Sequence, residues 1–221
     1  MRFLLSIGMV LLAPFAGALS PSSSSHPIAA SAPTAAPEKT VYDYSLAMPG
    51  GGVQSLADYR GKVLLIVNLA SQSVYASELA ALDQLEKTYA DQGLVVLGIP
   101  SSDFGKQELS DDAAIDAWYK KQNLSFPIAS KATLTGVQAI PLVGFLTEPP
   151  TGLPGGELHW NFTKFVLDRA GHPVMRMEAS GDPADPEFQE KLEEVLKGTY
   201  KAPAAGKSKS SAGDADDDDD E

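Results

Sequence analysis

Hydrophobic and polar positions follow recognisable periods from Val41 onward. Val41-Tyr42-Asp43-Tyr44-Ser45-Leu46 alternates as a half-buried strand does. Pro49-Gly50-Gly51-Gly52 reads as a turn, and Val53 to Leu56 resumes an extended run. Lys62 to Asn68 is almost continuously apolar, the pattern of a strand covered on both faces. Between Val74 and Ala90 the apolar residues Leu79, Leu82, Leu85 and Tyr89 recur at helical spacing, and Asp91-Gln92-Gly93 predicts the stop. Leu94 to Ile99 reads as a second buried strand. A strand, a helix and a strand joined by short links predict parallel neighbours with a right-handed crossover.

The second half is more broken. Asp111 and Asp112 fall in the first turn of a helix running through Tyr119, where acids suit the helix dipole. Val137 to Leu146 predicts a short helix containing Pro141, and Thr147 to Gly156 is a Pro/Gly loop. Lys164 to Leu167 and Val174 to Met177 predict an antiparallel hairpin across Asp168-Arg169-Ala170-Gly171. Glu187 to Leu196 closes the chain as a helix with Phe188, Leu192, Val195 and Leu196 on one side. The sum is an α/β sandwich, a central mixed β-sheet flanked by helices, with no internal repeat.

The ends differ from the middle. Met1 to Ala18 has Arg2, an apolar run from Phe3 to Phe15 and an Ala16-Gly17-Ala18 cleavage pattern, so it reads as a signal peptide. The run is too short to cross a bilayer core of about 30 Å. The expected location is the secretory pathway or outside the cell, with organelle targeting as the alternative, and no membrane span after cleavage. Residues 19–37, rich in Ser, Pro and Ala, read as a linker, and residues 201–221 as a disordered acidic tail. The domain is placed at 38–200.

Charge and composition narrow the function. The formal charge is −12, but seven acids lie in the last eight positions, leaving −5 for the rest. An acidic body predicts no nucleic-acid partner, which needs a basic face. The chain has no cysteine and three histidines, which removes disulfides, thiolate metal sites and cysteine nucleophiles and disfavours a histidine metal site. No cofactor is expected. Two glycosylation sequons occur, Asn123-Leu124-Ser125 in an expected loop and Asn161-Phe162-Thr163, the latter expected to be shielded.

The chemistry concentrates at Trp160-Asn161-Phe162-Thr163-Lys164-Phe165, where an indole N–H and a carboxamide are adjacent. Both are donors able to face one anionic atom. This stretch, together with Lys62 to Ser71, Gly93 to Pro100 and Phe104-Gly105-Lys106-Gln107-Glu108, resembles the glutathione peroxidase family in order and spacing. The resemblance covers about Val41 to Leu196 and implies a thioredoxin-like fold. It implies a hydroperoxide substrate, glutathione or thioredoxin as reductant, and a role in oxidative stress. The modest loop from Thr147 to Gly156 resembles that of monomeric members.

The family's site combines a redox cysteine or selenocysteine with a Gln, a Trp and an Asn. The matching positions here are Ser73, Asp103, Trp160 and Asn161. Val74 stands where the family usually has glycine, and no resolving cysteine is present. A serine hydroxyl is far less acidic than a thiol and has no sulfenate-like state, so the peroxide cycle has no starting atom. Asp103 adds a charge that would raise the pKa of a neighbouring nucleophile. The expectation is a catalytically impaired member kept as a binding or structural module. Two alternatives stay open: an active peroxidase using an unseen means, and a hydrolase built on Ser73, His159 and Asp103. Against the latter, an extended 159–161 segment would turn His159 away from Trp160. Ser73 is also a natural helix cap without any chemistry.

Overall fold

The computed structural model describes residues 38–148 and 155–202. The expected signal peptide and linker, most of the expected acidic tail and the centre of the Pro/Gly loop lie outside the described residues.

The sheet is built on β3 (Val63–Leu69), whose seven residues are all buried. It pairs in parallel with β4 (Leu94–Pro100) and antiparallel with β5 (Lys164–Leu167), which pairs antiparallel with β6 (Pro173–Met177). The order is β4-β3-β5-β6, the mixed sheet that the apolar runs predict. A separate hairpin joins β1 (Ser45–Met48) to β2 (Gly52–Ser55).

Successive residues of β3 explain its continuous apolarity. Val63, Leu65, Val67 and Leu69 pack with Leu79, Leu82 and Leu85 of α1 (Leu79–Tyr89), Ile115 of α2 (Asp112–Lys121), and Leu192 and Val195 of α4 (Pro186–Lys197). Leu64 and Ile66 point the other way, into a second layer with Leu142, Phe145 and Leu146 of α3 (Pro141–Thr147). A strand between two apolar layers favours apolar side chains on both faces, and its one amide, Asn68, lies near the carboxyl end with Nδ2 hydrogen bonded to the Trp160 carbonyl. Among the described residues no helix is long and apolar enough to cross a membrane.

Three boundaries depart from the periodic reading, each for a local reason. Val41–Asp43 is a turn of 3-10 helix rather than strand, because the Asp43 carboxylate accepts the Thr40 N–H at 2.8 Å and closes the chain on itself. The expected helix from Val137 is a 3-10 turn at Gly136–Gln138 followed by α3, which begins at Pro141: proline fits a first helical position and breaks an interior. The helix expected from Val74 is 3-10 through Glu78 and becomes α-helical at Leu79.

Gly93, at φ 92°, ends the segment after α1, and a Cβ there would lie 2.9 Å from Arg169 Nη1. Arg169 needs that space. Its guanidinium donates to the carbonyls of Gly61, Gln92 and Leu196, tying the β5–β6 turn to the starts of β3 and β4 and the end of α4.

Candidate functional site

The site forms where three loops meet beyond the carboxyl ends of β3 and β4 and the amino end of β5. Ser73 follows β3 at the start of the 3-10 turn. It is buried, and its Oγ accepts the Tyr75 N–H at 3.3 Å, so the capping role is realised. Val74 beside it is 78% exposed.

Glu108 holds this turn from beneath. Its carboxylate accepts the Ser71 N–H at 3.1 Å, the Ser71 hydroxyl, the Leu109 N–H at 2.8 Å and the Tyr119 hydroxyl at 2.9 Å. Burial, then the Glu108 charge, pushes the Tyr119 hydroxyl far above its ordinary range, so it acts as a permanent donor. From the opposite side, the Gln72 N–H donates to the Gln107 carbonyl at 2.8 Å.

Trp160 and Asn161 arrive on a turn, not an extended strand, because Phe162 takes a left-handed φ of 65°. That turn is anchored on β3. The Phe162 N–H donates to the Asn68 carbonyl at 2.7 Å, and Asn68 Nδ2 donates to the Trp160 carbonyl at 3.1 Å. The Phe162 ring is fully buried and packs 6.4 Å, centroid to centroid, from Tyr75, two residues beyond Ser73. Trp160 is 40% exposed and lies over Gly105: a Cβ at Gly105 would be 3.5 Å from its Cη2. Asn161 is fully buried, its sequon shielded, while Asn123 is exposed.

The hydrogen bonds differ from the simple expectation in two respects. Asn161 was expected to have its amide free to donate to an atom at position 73. Instead Nδ2 donates to the Phe104 carbonyl and to Gln107 Oε1, both at 3.0 Å, which uses both of its hydrogens. Asn161 Oδ1 is buried without a partner. Asp103 turns toward the following loop, where its Oδ2 accepts the N–H groups of Leu134 at 2.6 Å and Thr135 at 3.0 Å and the Thr135 hydroxyl at 3.3 Å. Its charge is satisfied by backbone dipoles there. Gln107, which the motif contains but the positional match passes over, bonds to Asn161.

Residues 160–162 form a turn, so strand alternation does not set the direction of His159. The triad gains nothing from this: among the described residues no hydrogen bond joins His159 to Ser73 or Asp103, and Ser73 Oγ is engaged as a cap. Cavities of about 370 Å³, against β6 and α4, and about 500 Å³, between Tyr44 and α3, are lined by other residues. Among the described residues no group of three or more His, Cys, Asp or Glu side chains is placed to hold a metal.

A mixed four-stranded sheet with the site at the turn between its first strand and the following helix defines a thioredoxin-like α/β protein. A thioredoxin-family thiol:disulfide interchange protein from Chlorobium tepidum TLS shares this fold at a TM-score of 0.51 and 20% identity, over 69% of this chain and 92% of that chain. The likeness to one branch is closer. The glutathione peroxidase family model matches residues 41–147. The chain is 38% identical to the glutathione peroxidase homolog BsaA of Halalkalibacterium halodurans, over 71% of this chain and 99% of the relative. The crystal structure of Trgpx in apo form aligns at a TM-score of 0.58 and 27% identity, over 74% of this chain and all of that chain. The chain belongs to the glutathione peroxidase family, whose chemistry is peroxide reduction.

Proposed function

We propose that this protein is an exported member of the glutathione peroxidase family in which the peroxide step does not run, and that its site serves as a binding surface. The observation that carries this reading is chemical: Ser73 occupies the redox position in a chain with no cysteine. In the family reaction a thiolate attacks one oxygen of the hydroperoxide. An S–O bond forms, the O–O bond breaks, and the departing alkoxide takes a proton to become an alcohol. Two reductant thiols then return the sulfenic acid to a thiol, releasing water and forming a disulfide. An alcohol oxygen cannot be oxidised in this way. Two further features support the reading. Ser73 Oγ is occupied as a cap, and Asn161 has no hydrogen left to stabilise an anion at position 73.

The test uses the purified chain, a hydroperoxide, and either glutathione or thioredoxin with its reductase. Consumption of reductant is expected to match the protein-free rate. Ser73→Cys is expected to gain turnover that saturates with hydroperoxide. Turnover by the unsubstituted protein, lost in Ser73→Ala, would reject the proposal. Export is tested separately, by the appearance of a mature chain beginning after Ala18.

A further inference from the structure

We infer that Asn123 is a modification site, the acceptor for an N-linked oligosaccharide in the exported chain, and that Asn161 in the second sequon stays bare. The inference rests on the export proposed above and not on the chemistry at Ser73.

The two sequons share a sequence pattern and differ in structure. Asn161, Phe162 and Thr163 are all fully buried. Asn161 Nδ2 donates to the Phe104 carbonyl and Gln107 Oε1, and the Thr163 hydroxyl donates to the Trp160 carbonyl at 3.2 Å. A sugar on that nitrogen would displace one of its bonds and needs volume that a fully buried side chain lacks. An occupied Asn161 and this fold exclude each other. Asn123 is exposed, and among the described residues its side chain has no hydrogen-bond partner.

The local backbone presents it. α2 ends at Lys121, and Asn123 takes a left-handed φ of 53° with its N–H donating to the Lys120 carbonyl at 3.2 Å. Asparagine is one of the few side chains that tolerate this conformation past a helix end. Ser125 completes the sequon and has a second task once the chain has folded: its N–H and hydroxyl donate to Asp83 Oδ1 at 2.6 and 2.7 Å. In the extended chain that hydroxyl is free for recognition by the transferring enzyme. There is also room for the sugar. A cleft of about 260 Å³ lies beside Asn123, floored by Pro49, Ile115, Tyr119 and Phe126. The C–H face of a proximal sugar ring gains by covering such a floor.

The step needs no oxidant or reductant. The Asn123 amide nitrogen attacks the anomeric carbon of a lipid-diphosphate-linked oligosaccharide. The N–C bond forms, the C–O bond to the diphosphate breaks, the diphosphate leaves with the electron pair, and the amide gives up one proton.

The test expresses the full chain in cultured mammalian cells behind its own leader and, in parallel, residues 19–221 behind a host signal peptide. Chain is recovered from both medium and cells. Peptide-N-glycosidase in oxygen-18 water converts each occupied asparagine to a labelled aspartate, read by peptide mass spectrometry. One mobility step removed by the enzyme is expected, with the label at Asn123 and none at Asn161 in secreted protein. Asn123→Asp keeps a side chain that tolerates the left-handed turn and is expected to lose the step. Ser125→Ala is expected to lose it too, and Ser125→Thr to keep it. Absence of label at Asn123 behind both leaders, or a step that survives Asn123→Asp, would overturn the inference. Label at Asn123 behind the host signal alone would defeat the proposed export and uphold the site.

Discussion

Two carboxylates flank the Ser73 turn, Glu108 buried and Glu78 half-buried, and they are stabilised in opposite ways. Glu108 sits beneath Ser71 and is met only by neutral donors: two backbone N–H groups and two hydroxyls. Glu78, at the end of the 3-10 turn, is met by a full charge. Lys164 Nζ lies 2.6 Å from its carboxylate and also donates to the Gly181 carbonyl at 2.7 Å, and the Lys164 side chain is 0% exposed. Burial pushes the Glu78 carboxyl up and the Lys164 ammonium down, and in both cases it outweighs the attraction of the partner. Glu108 is a clamp made of dipoles with no counter-ion to keep in place. The Glu78–Lys164 pair holds two desolvated charges that each depend on the other.

The largest expected effect is from breaking the ion pair on its more deeply buried side. Lys164→Met leaves Glu78 without its cation and the Gly181 carbonyl without its donor. A stability loss of about 3–5 kcal/mol is expected in denaturant melts, the range for removing one member of a buried pair. Combining it with Glu78→Leu should recover most of that loss, since an apolar pair of similar volume has no charge to desolvate. A loss below about 1 kcal/mol for Lys164→Met would show that the pair behaves as an exposed one. Glu108→Gln comes next. The shape is kept, but a carboxamide NH2 must now face a backbone donor: the Leu109 N–H if it takes the Oε1 position, the Ser71 N–H if it takes the Oε2 position. A loss of about 1–3 kcal/mol is expected, the cost of a buried polar group left unpaired. A denaturant melt that Glu108→Gln leaves unchanged would show that these N–H groups do not depend on the carboxylate.

The sheet was legible from sequence because its strands are buried on both faces. β3 is apolar except for Asn68 near its end and β4 is apolar throughout, short runs rich in Val, Ile and Leu that suit a strand covered on both faces. The 3-10 turns at Val41–Asp43 and Val74–Glu78 were not legible. A single side-chain bond, Asp43 to Thr40 N–H or Ser73 to Tyr75 N–H, decides each against the periodic signal. At the site, the loops that carry Ser73, Trp160 and Asn161 meet through the Tyr75 and Phe162 rings and through Gln107. What the motif left hidden was direction. Which atoms the Asn161 amide faces depends on the left-handed Phe162, and where Asp103 points depends on N–H groups at Leu134 and Thr135, more than thirty positions away. Gln107 lay inside the quoted motif and was passed over, since nothing in a linear string shows that its two ends bond to two different loops. Lys164, a charged residue opening an apolar strand, was a signal that a buried acid must exist. Its partner Glu78 lies far away in sequence.

The smallest expected effect, the dependence of stability on pH, tests the comparison most closely. The Glu78 carboxyl is raised above its ordinary 4.5 by burial, opposed by Lys164 and reinforced by Asp182. The folded protein therefore holds a proton at Glu78 at pH values where the unfolded chain has released it. In the window from 4.5 up to the folded pKa, the folded state binds more protons, so the contribution of this group to stability falls as pH rises. Lys164 is lowered below 10.5, again by burial first, with Glu78 and Asp182 opposing. Between its folded pKa and 10.5 the unfolded chain binds more protons, and stability from this group rises with pH. Other carboxylates also titrate near the acid window, so the quantity to measure is the melting temperature of the unsubstituted protein minus that of Glu78→Gln. That difference is expected to decrease as pH is raised above 4.5. A difference that grows with pH would mean that attraction to Lys164 outweighs burial. The ion pair would then stabilise the folded chain as the dipoles around Glu108 do, and the contrast between the two carboxylates would be one of partners only, not of energetics.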